Sequence, residues 1–173
     1  MIEDLIDSPT SSSTTAVPMR EDLIDSSTSS PQELLKQSRH NLTYQDGVLH
    51  GPAELYKNNG TVTRTHFYNG LLHGETMCYD DRGRVQAQLQ FHHGKKEGPY
   101  VVYDEFGRIK QVFHYHQDFL EGPFMTYYPT GTLCLSGTYA QGKRHGEFVT
   151  YDEKGKARKI LVFDYGHLVE RRR

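Results

Sequence analysis

The chain has no tryptophan, only two cysteines among its 173 residues, and no long apolar run. Each shortage excludes something. A helix that crosses a bilayer needs about 20 consecutive apolar residues, and none is found. No charged segment followed by an apolar one opens the sequence in the manner of a secretory leader. Cys78 and Cys134 occupy unlike places, which suits two reduced thiols in a cytoplasmic setting and not a disulfide framework. Apolar residues make up 35% and the mean hydropathy is −0.72, so a large globular core is not expected. Net charge is also scarce. Residues 1–38 hold seven acidic and two basic side chains, a balance of −5, which leaves +3 for residues 39–173 out of a total of −2. An excess that small does not make the basic face of a nucleic-acid binder, and no dense Lys/Arg patch favours anionic lipid.

What the chain has in quantity is glycine at a fixed period. YNGLLHGETMCYDDRG at residues 68–83 returns with the same spacing four more times. Gly47, Gly70, Gly94, Gly142 and Gly166 form a first column, in which Asp118 takes one place. Gly51, Gly74, Gly98, Gly122 and Gly146 form a second, and Gly60, Gly83, Gly107, Gly131 and Gly155 a third. Every step is 24 residues except the first, which is 23. Two aromatic columns keep the period: Tyr44, Phe67, Phe91, Tyr115, Tyr139 and Phe163, then Tyr56, Tyr79, Tyr103, Tyr127 and Tyr151. A fixed period of this length marks a repeat architecture.

Each unit spells a hairpin. Between the second and third glycines lies a short strand ending in Tyr, such as PYVVY at 99–103. A turn of Asn, Asp, Pro and Gly chemistry follows, KNNG, DDRG, DEFG, YPTG or DEKG, whose last Gly can take positive φ. A second strand leaves the turn, as in RVQAQLQF at 84–91, where apolar and polar residues alternate with period 2. The predicted fold is all-β: an elongated single-layer antiparallel β-meander of about five hairpin repeats and ten strands, with no separate hydrophobic centre. Asp118 fits the scheme because Asp tolerates left-handed backbone. The residue missing from the first unit falls between Gly60 and Phe67, and an extra residue inverts side-chain facing unless a bulge absorbs it. Whether the two aromatic columns share a face therefore stays open at this point. The charged end, Glu170 to Arg173, is suited to blunting a sheet edge.

Three segments are expected: a disordered acidic tail over 1–30, a short helix over 31–40 and the β-hairpin repeats over 41–173. The tail is Ser/Thr-rich and too poor in apolar residues to offset the entropy of ordering. It holds EDLIDS twice, so that Leu5, Ile6, Leu23 and Ile24 form a candidate docking motif whose two copies allow avidity. An inert, solvated duplication is the alternative. Ser30, Pro31 and Glu33 supply cap, first-turn and capping-box chemistry for the helix.

The run of aromatic, two residues, Gly, three residues, Gly, a short strand to Tyr and a Gly turn, as in Tyr139, Gly142, Gly146, Tyr151 and Gly155, resembles the MORN repeat. It is most similar to the bacterial variant found in YwqK-like antitoxin components. The resemblance covers residues 44 to about 169 and implies a twisted single-layer meander that serves as a binding surface or spacer, with no catalytic residues and no cofactor.

The side chains give no sign of catalysis. The acidic pairs Asp80-Asp81, Asp104-Glu105 and Asp152-Glu153 fall in turns, where exposed carboxylates favour the turn and do not form a cleft. No nucleophile elbow, phosphate loop or dinucleotide fingerprint is present. The histidines raise a metal question. His50, His73 and His145 precede the second Gly, and His92 and His116 follow the aromatic; equivalent places in successive hairpins lie about 10 Å apart, too far to share a zinc with ligands at about 2 Å. His114 and His116, with His92 and His93 nearby, form the remaining metal alternative. Turn histidines on a solvated edge, with no metal, is the preferred reading. The apolar side chains include Met77 and Met125, and the candidate partner contacts are Tyr79, Tyr100, Tyr103, Phe124, Tyr127, Phe148 and Tyr151. For the Tyr56 column a structural ladder is the favoured role.

The expected function is non-catalytic protein binding through one sheet face, with three settings: a cytoplasmic inhibitor of a protein partner, an effector exported by a Sec-independent system, or a membrane-surface scaffold.

Overall fold

The structure, a computed structural model, describes residues 40–172. The acidic tail, its docking motif and the predicted helix lie outside the described residues, except that His40 opens a strand and does not close a helix. Fifteen strands follow: β1 (His40–Gln45), β2 (Val48–Tyr56), β3 (Val62–Tyr68), β4 (Leu71–Leu72), β5 (Gly74–Tyr79), β6 (Val85–His92), β7 (Lys95–Lys96), β8 (Gly98–Tyr103), β9 (Ile109–His116), β10 (Phe119–Leu120), β11 (Gly122–Tyr127), β12 (Leu133–Ala140), β13 (Lys143–Tyr151), β14 (Ala157–Asp164) and β15 (His167–Arg172). They form one sheet, paired in chain order, with β4, β7 and β10 off the main path and folded back on β3, β6 and β9. The repeat predicts this meander. Twelve strands stand on the path where ten were expected, because β1 and β15 add an outer strand at each end.

Two turns per unit reverse the chain. The first joins strands through two residues that both have positive φ, such as Asn69 (49°) with Gly70 (81°) and His93 (49°) with Gly94 (82°). Such a pair suits the tight hairpin whose twist matches its flanking strands. Gln117 and Asp118 adopt it at 48° and 73°, so Asp118 stands in the glycine column with glycine's backbone. The tips of these hairpins stack on one another. Gly70 N donates to Leu49 O at 2.8 Å, Gly94 N to Leu72 O at 2.7 Å, Gly142 N to Leu120 O at 2.9 Å and Gly166 N to Arg144 O at 2.7 Å. A rail of backbone bonds thus runs from unit to unit, independent of side chains.

The missing residue of the first unit settles the question of faces. In the four later units the register slips by one immediately before the tyrosine: Cys78 pairs Ala87 but Tyr79 pairs Val85, and the same slip precedes Tyr103, Tyr127 and Tyr151. The β2–β3 pairing runs from Gly51↔Phe67 to Tyr56↔Val62 without a slip. The extra residue of the later units is therefore a β-bulge, and the first unit lacks both. With the bulge absorbing the odd residue, the Phe67 and Tyr56 columns lie on opposite faces throughout.

The face that carries the Phe67 column is packed. Phe113, Phe124, Leu135, Phe148, Leu161 and Phe163 form one buried cluster, and Leu49, Ala53 and Phe67 a smaller one. The expectation that the sheet has no hydrophobic centre is corrected here. The back-folded tips supply part of the cover, since Leu72 packs on the smaller cluster and Leu120 on the larger. Aromatic rings on neighbouring strands supply the rest: Phe113 lies 4.9 Å from Phe124, and Phe148 lies 5.3 Å from Phe163. Gly137 makes this possible, because a Cβ there would come within 2.5 Å of the Phe148 ring.

Candidate partner-binding face

The opposite face is built on the second aromatic column, whose rings lean back over the preceding strand. Tyr103 donates its hydroxyl to Gln88 Oε1 at 3.1 Å, and Tyr151 shares a 3.3 Å hydrogen bond with Ser136 Oγ. The Arg64 guanidinium stands 5.0 Å from the centre of the Tyr79 ring. In all three the partner sits fifteen residues earlier. Tyr127 has Val112 at that place and turns its hydroxyl to Met125 Sδ at 3.4 Å instead. The column is thus a diagonal ladder that locks neighbouring units, with the ring faces half-exposed.

Between the second and third units this face holds an open groove of about 450 Å³, lined by Met77, Val85, Tyr103 and Phe106, with Arg84 and Glu105 at its edge. Arg84 is fixed there by two turns: it pairs with Asp80 at 2.7 Å and donates to Glu105 O at 2.9 Å. Phe106 is 73% exposed, the most exposed of the large hydrophobic side chains described. Arg108 holds it, with its guanidinium 4.8 Å from the ring centre while paired to Asp104 at 2.7 Å. An apolar ring displayed to solvent on a rigid turn, beside thioether and tyrosine, is chemistry enriched where proteins meet.

The seven candidate contacts divide between the faces. Tyr79, Tyr103, Tyr127 and Tyr151 are on the open face. Phe124 and Phe148 are buried in the packed cluster, and Tyr100 lies against it, stacked 5.8 Å from Phe113. Burial drives the Tyr100 hydroxyl's pKa well above the ordinary value. Phe124 and Phe148 thus belong to the core and Tyr100 lies half-buried beside it, because residues two past the second Gly share the parity of the Phe67 column. Phe106 was missed, although the sequence carried a signal: its turn place is filled by Asn59, Arg82, Thr130 and Lys154 in the other units.

The turn acids do what the sequence suggested, with one change. Asp80 Oδ1 accepts the backbone N–H groups of Arg82 at 3.0 Å and Arg84 at 2.8 Å, and Asp104 and Asp152 repeat the arrangement. The first acid of each pair is therefore partly or largely covered and not a freely exposed carboxylate. The backbone N–H of Arg84 holds the Asp80 carboxyl below its usual range, and that of Lys156 does the same for Asp152. At Asp104, partial burial opposes the shift and the Arg108 and Phe106 donors outweigh it.

Three places in the column preceding the second Gly hold an acceptor for the next tip turn. Glu97 Oε2 takes the Gln117 N–H at 3.0 Å, Glu121 Oε2 the Gln141 N–H at 2.7 Å, and His73 Nδ1 the His93 N–H at 3.5 Å. Each ties the next tip turn. His114 and His116 do not pair with each other; His114 Nδ1 lies 3.0 Å from Pro123 O and His116 Nδ1 2.9 Å from Glu97 Oε1. The structure instead gathers His73, His92 and His93, whose nitrogens lie within 4.8 Å of one another. The sequence places His92 and His93 near His114 and His116 and does not bring in His73; the three histidines come from three different columns.

No helix among the described residues is long and apolar enough to cross a membrane. No curated protein matches the chain. The family model described as MORN repeat variant matches residues 120–141, which run from the last residue of β10 through β11, its turn and β12. MORN repeats mediate protein or membrane-lipid contacts and are generally non-enzymatic. The match identifies the repeat and not the YwqK-like subfamily. Residues 120–141 are therefore similar to a MORN repeat variant, and the other units repeat the turns, rail and ladder of that segment.

Proposed function

We propose that this protein is a non-catalytic binding module that seats a protein partner on its tyrosine face, with the groove beside Phe106 as the centre of the contact. The observation that carries the reading is Phe106 itself, which spends apolar area on solvent where four sister turns use polar residues. Hot spots in interfaces are few, aromatic or Arg-rich, and set in pockets; Phe106, Tyr103 and Arg84 meet that description. A cytoplasmic inhibitor and an exported effector would use the same contact. The test is affinity purification from the source cells with three baits: wild type, Phe106→Asp and Phe119→Asp, the last altering an exposed ring on a hairpin tip. A partner that survives Phe119→Asp and is lost with Phe106→Asp supports the reading. Identical recovery from all three rejects it.

A further inference from the structure

The histidine group at the tips of the second and third units has a geometry that strand alternation forbids. His92 ends β6 and His93 follows it, so in a regular strand their rings would point to opposite sides. His93 has a φ of 49°, the left-handed backbone of the tip turn, and this swings its ring back beside that of His92. The two ring centres are 4.4 Å apart. His73, from the preceding unit, completes the corner at 5.2 Å from His92 and 5.1 Å from His93. The Tyr68 ring lies 5.6 Å from His73 and 6.1 Å from His93.

We propose that His73, His92 and His93 form a binding site for a divalent transition-metal ion of the nitrogen-preferring kind, such as zinc, nickel or copper, with water completing the coordination. Imidazole suits these ions, whereas calcium and magnesium require oxygen donors. The nearby carboxylate, Glu97, is already held by the His116 ring and the Gln117 N–H, which leaves an all-imidazole donor set. Metal–nitrogen bonds of about 2.0–2.1 Å place tetrahedral ligand atoms about 3.4 Å apart. One nitrogen from each ring lies within 4.8 Å of the others, so the separations have to contract by at most about 1.4 Å to reach that. The side chains of His92 and His93 are exposed and can rotate without disturbing the packed face, while half-buried His73 gives a fixed ligand. Among the described residues, the hydrogen bond at stake is the 3.5 Å contact from the His93 N–H to His73 Nδ1, which is long and weak. Binding would cross-link two successive tips in the half of the sheet with few packed aromatics.

The test uses the full chain and zinc chloride alone. Calorimetric titration is expected to give one zinc per chain, with affinity about tenfold or more weaker in His92→Gln and in His93→Gln and unchanged in His114→Gln. Nitrogen-detected histidine spectra of the wild type provide a second readout that needs no variant: the ring signals of His73, His92 and His93 should move together at one equivalent. Zinc should also raise the melting temperature of the wild type but not of the His92→Gln/His93→Gln double variant, since a ligand that binds only the folded state stabilises it. Uptake unaffected by His92→Gln, or ring shifts at other histidines, overturns the proposal.

Discussion

In the C-terminal half of the packed face, Phe113 lies 4.9 Å from Phe124, Phe124 lies 6.4 Å from Phe148 and Tyr139 meets Phe148 edge-on at 5.6 Å. In the N-terminal half the places two past the second Gly hold Ala53 and Thr76, next to buried Thr65, Cys78, Ala87 and Leu89, and the buried rings there are Phe67 and Phe91. The Thr65 and Thr76 hydroxyls bond each other at 2.6 Å in place of a ring contact. Yet the tip rail and turn caps keep the same pattern in both halves, with Gly70 N to Leu49 O at 2.8 Å in one and Gly142 N to Leu120 O at 2.9 Å in the other. Backbone hydrogen bonds thus set the geometry, and side chains set how firmly each stretch is held.

The largest expected effect is at the centre of the aromatic half. Phe148→Ala should lose about 3–5 kcal/mol of unfolding free energy in urea, because a buried ring leaves a cavity; a loss below about 1 kcal/mol would dissolve the distinction between the halves. Gly137→Ala should cost about 1–3 kcal/mol by the same measurement, from forcing a methyl group into the Phe148 ring. In the other half, Thr65→Val alone should cost about 1–3 kcal/mol by stranding the Thr76 hydroxyl, and adding Thr76→Val should recover most of it. A double variant that is worse than the single one would mean the pair does more than satisfy itself. Native-state hydrogen exchange should show amides of β3, β5 and β6 opening at lower free energy than those of β11, β13 and β14. Equal protection would break the comparison.

The smallest effect is shared by both halves. The folded Asp80, Asp104 and Asp152 carboxyls titrate below the unfolded value of about 3.9. Their contribution is complete above that value and fades as pH falls through the folded ones. Carboxyl-carbon NMR should place all three below the unfolded value, and Asp80→Asn should flatten the acid limb of stability for its unit alone.

The hairpins, both turns and even the Asp118 exception were legible in the sequence, because positive-φ turns demand Gly, Asn or Asp at fixed spacing. The facing of the columns was not. Parity along a strand depends on whether the odd residue becomes a bulge, and the sequence shows the odd residue without showing where it is absorbed. That ambiguity put Phe124 and Phe148 among the surface contacts. Phe106 was visible as the one apolar residue in a polar column, but a search organised around recurring residues passes over the exception. His73, His92 and His93 come together through the backbone twist at His93, which composition and period do not reveal.

The bulge in the strand that follows each of the four later tyrosines also changes what the repeat tolerates. It acts as an expansion joint: the first unit is one residue shorter, yet its tyrosine still points the same way as the rest. A single-residue deletion at that joint in any later copy would remove the bulge and leave the downstream columns in phase. Length variation can therefore enter this array one residue at a time, at one defined place per module, without turning the sheet inside out.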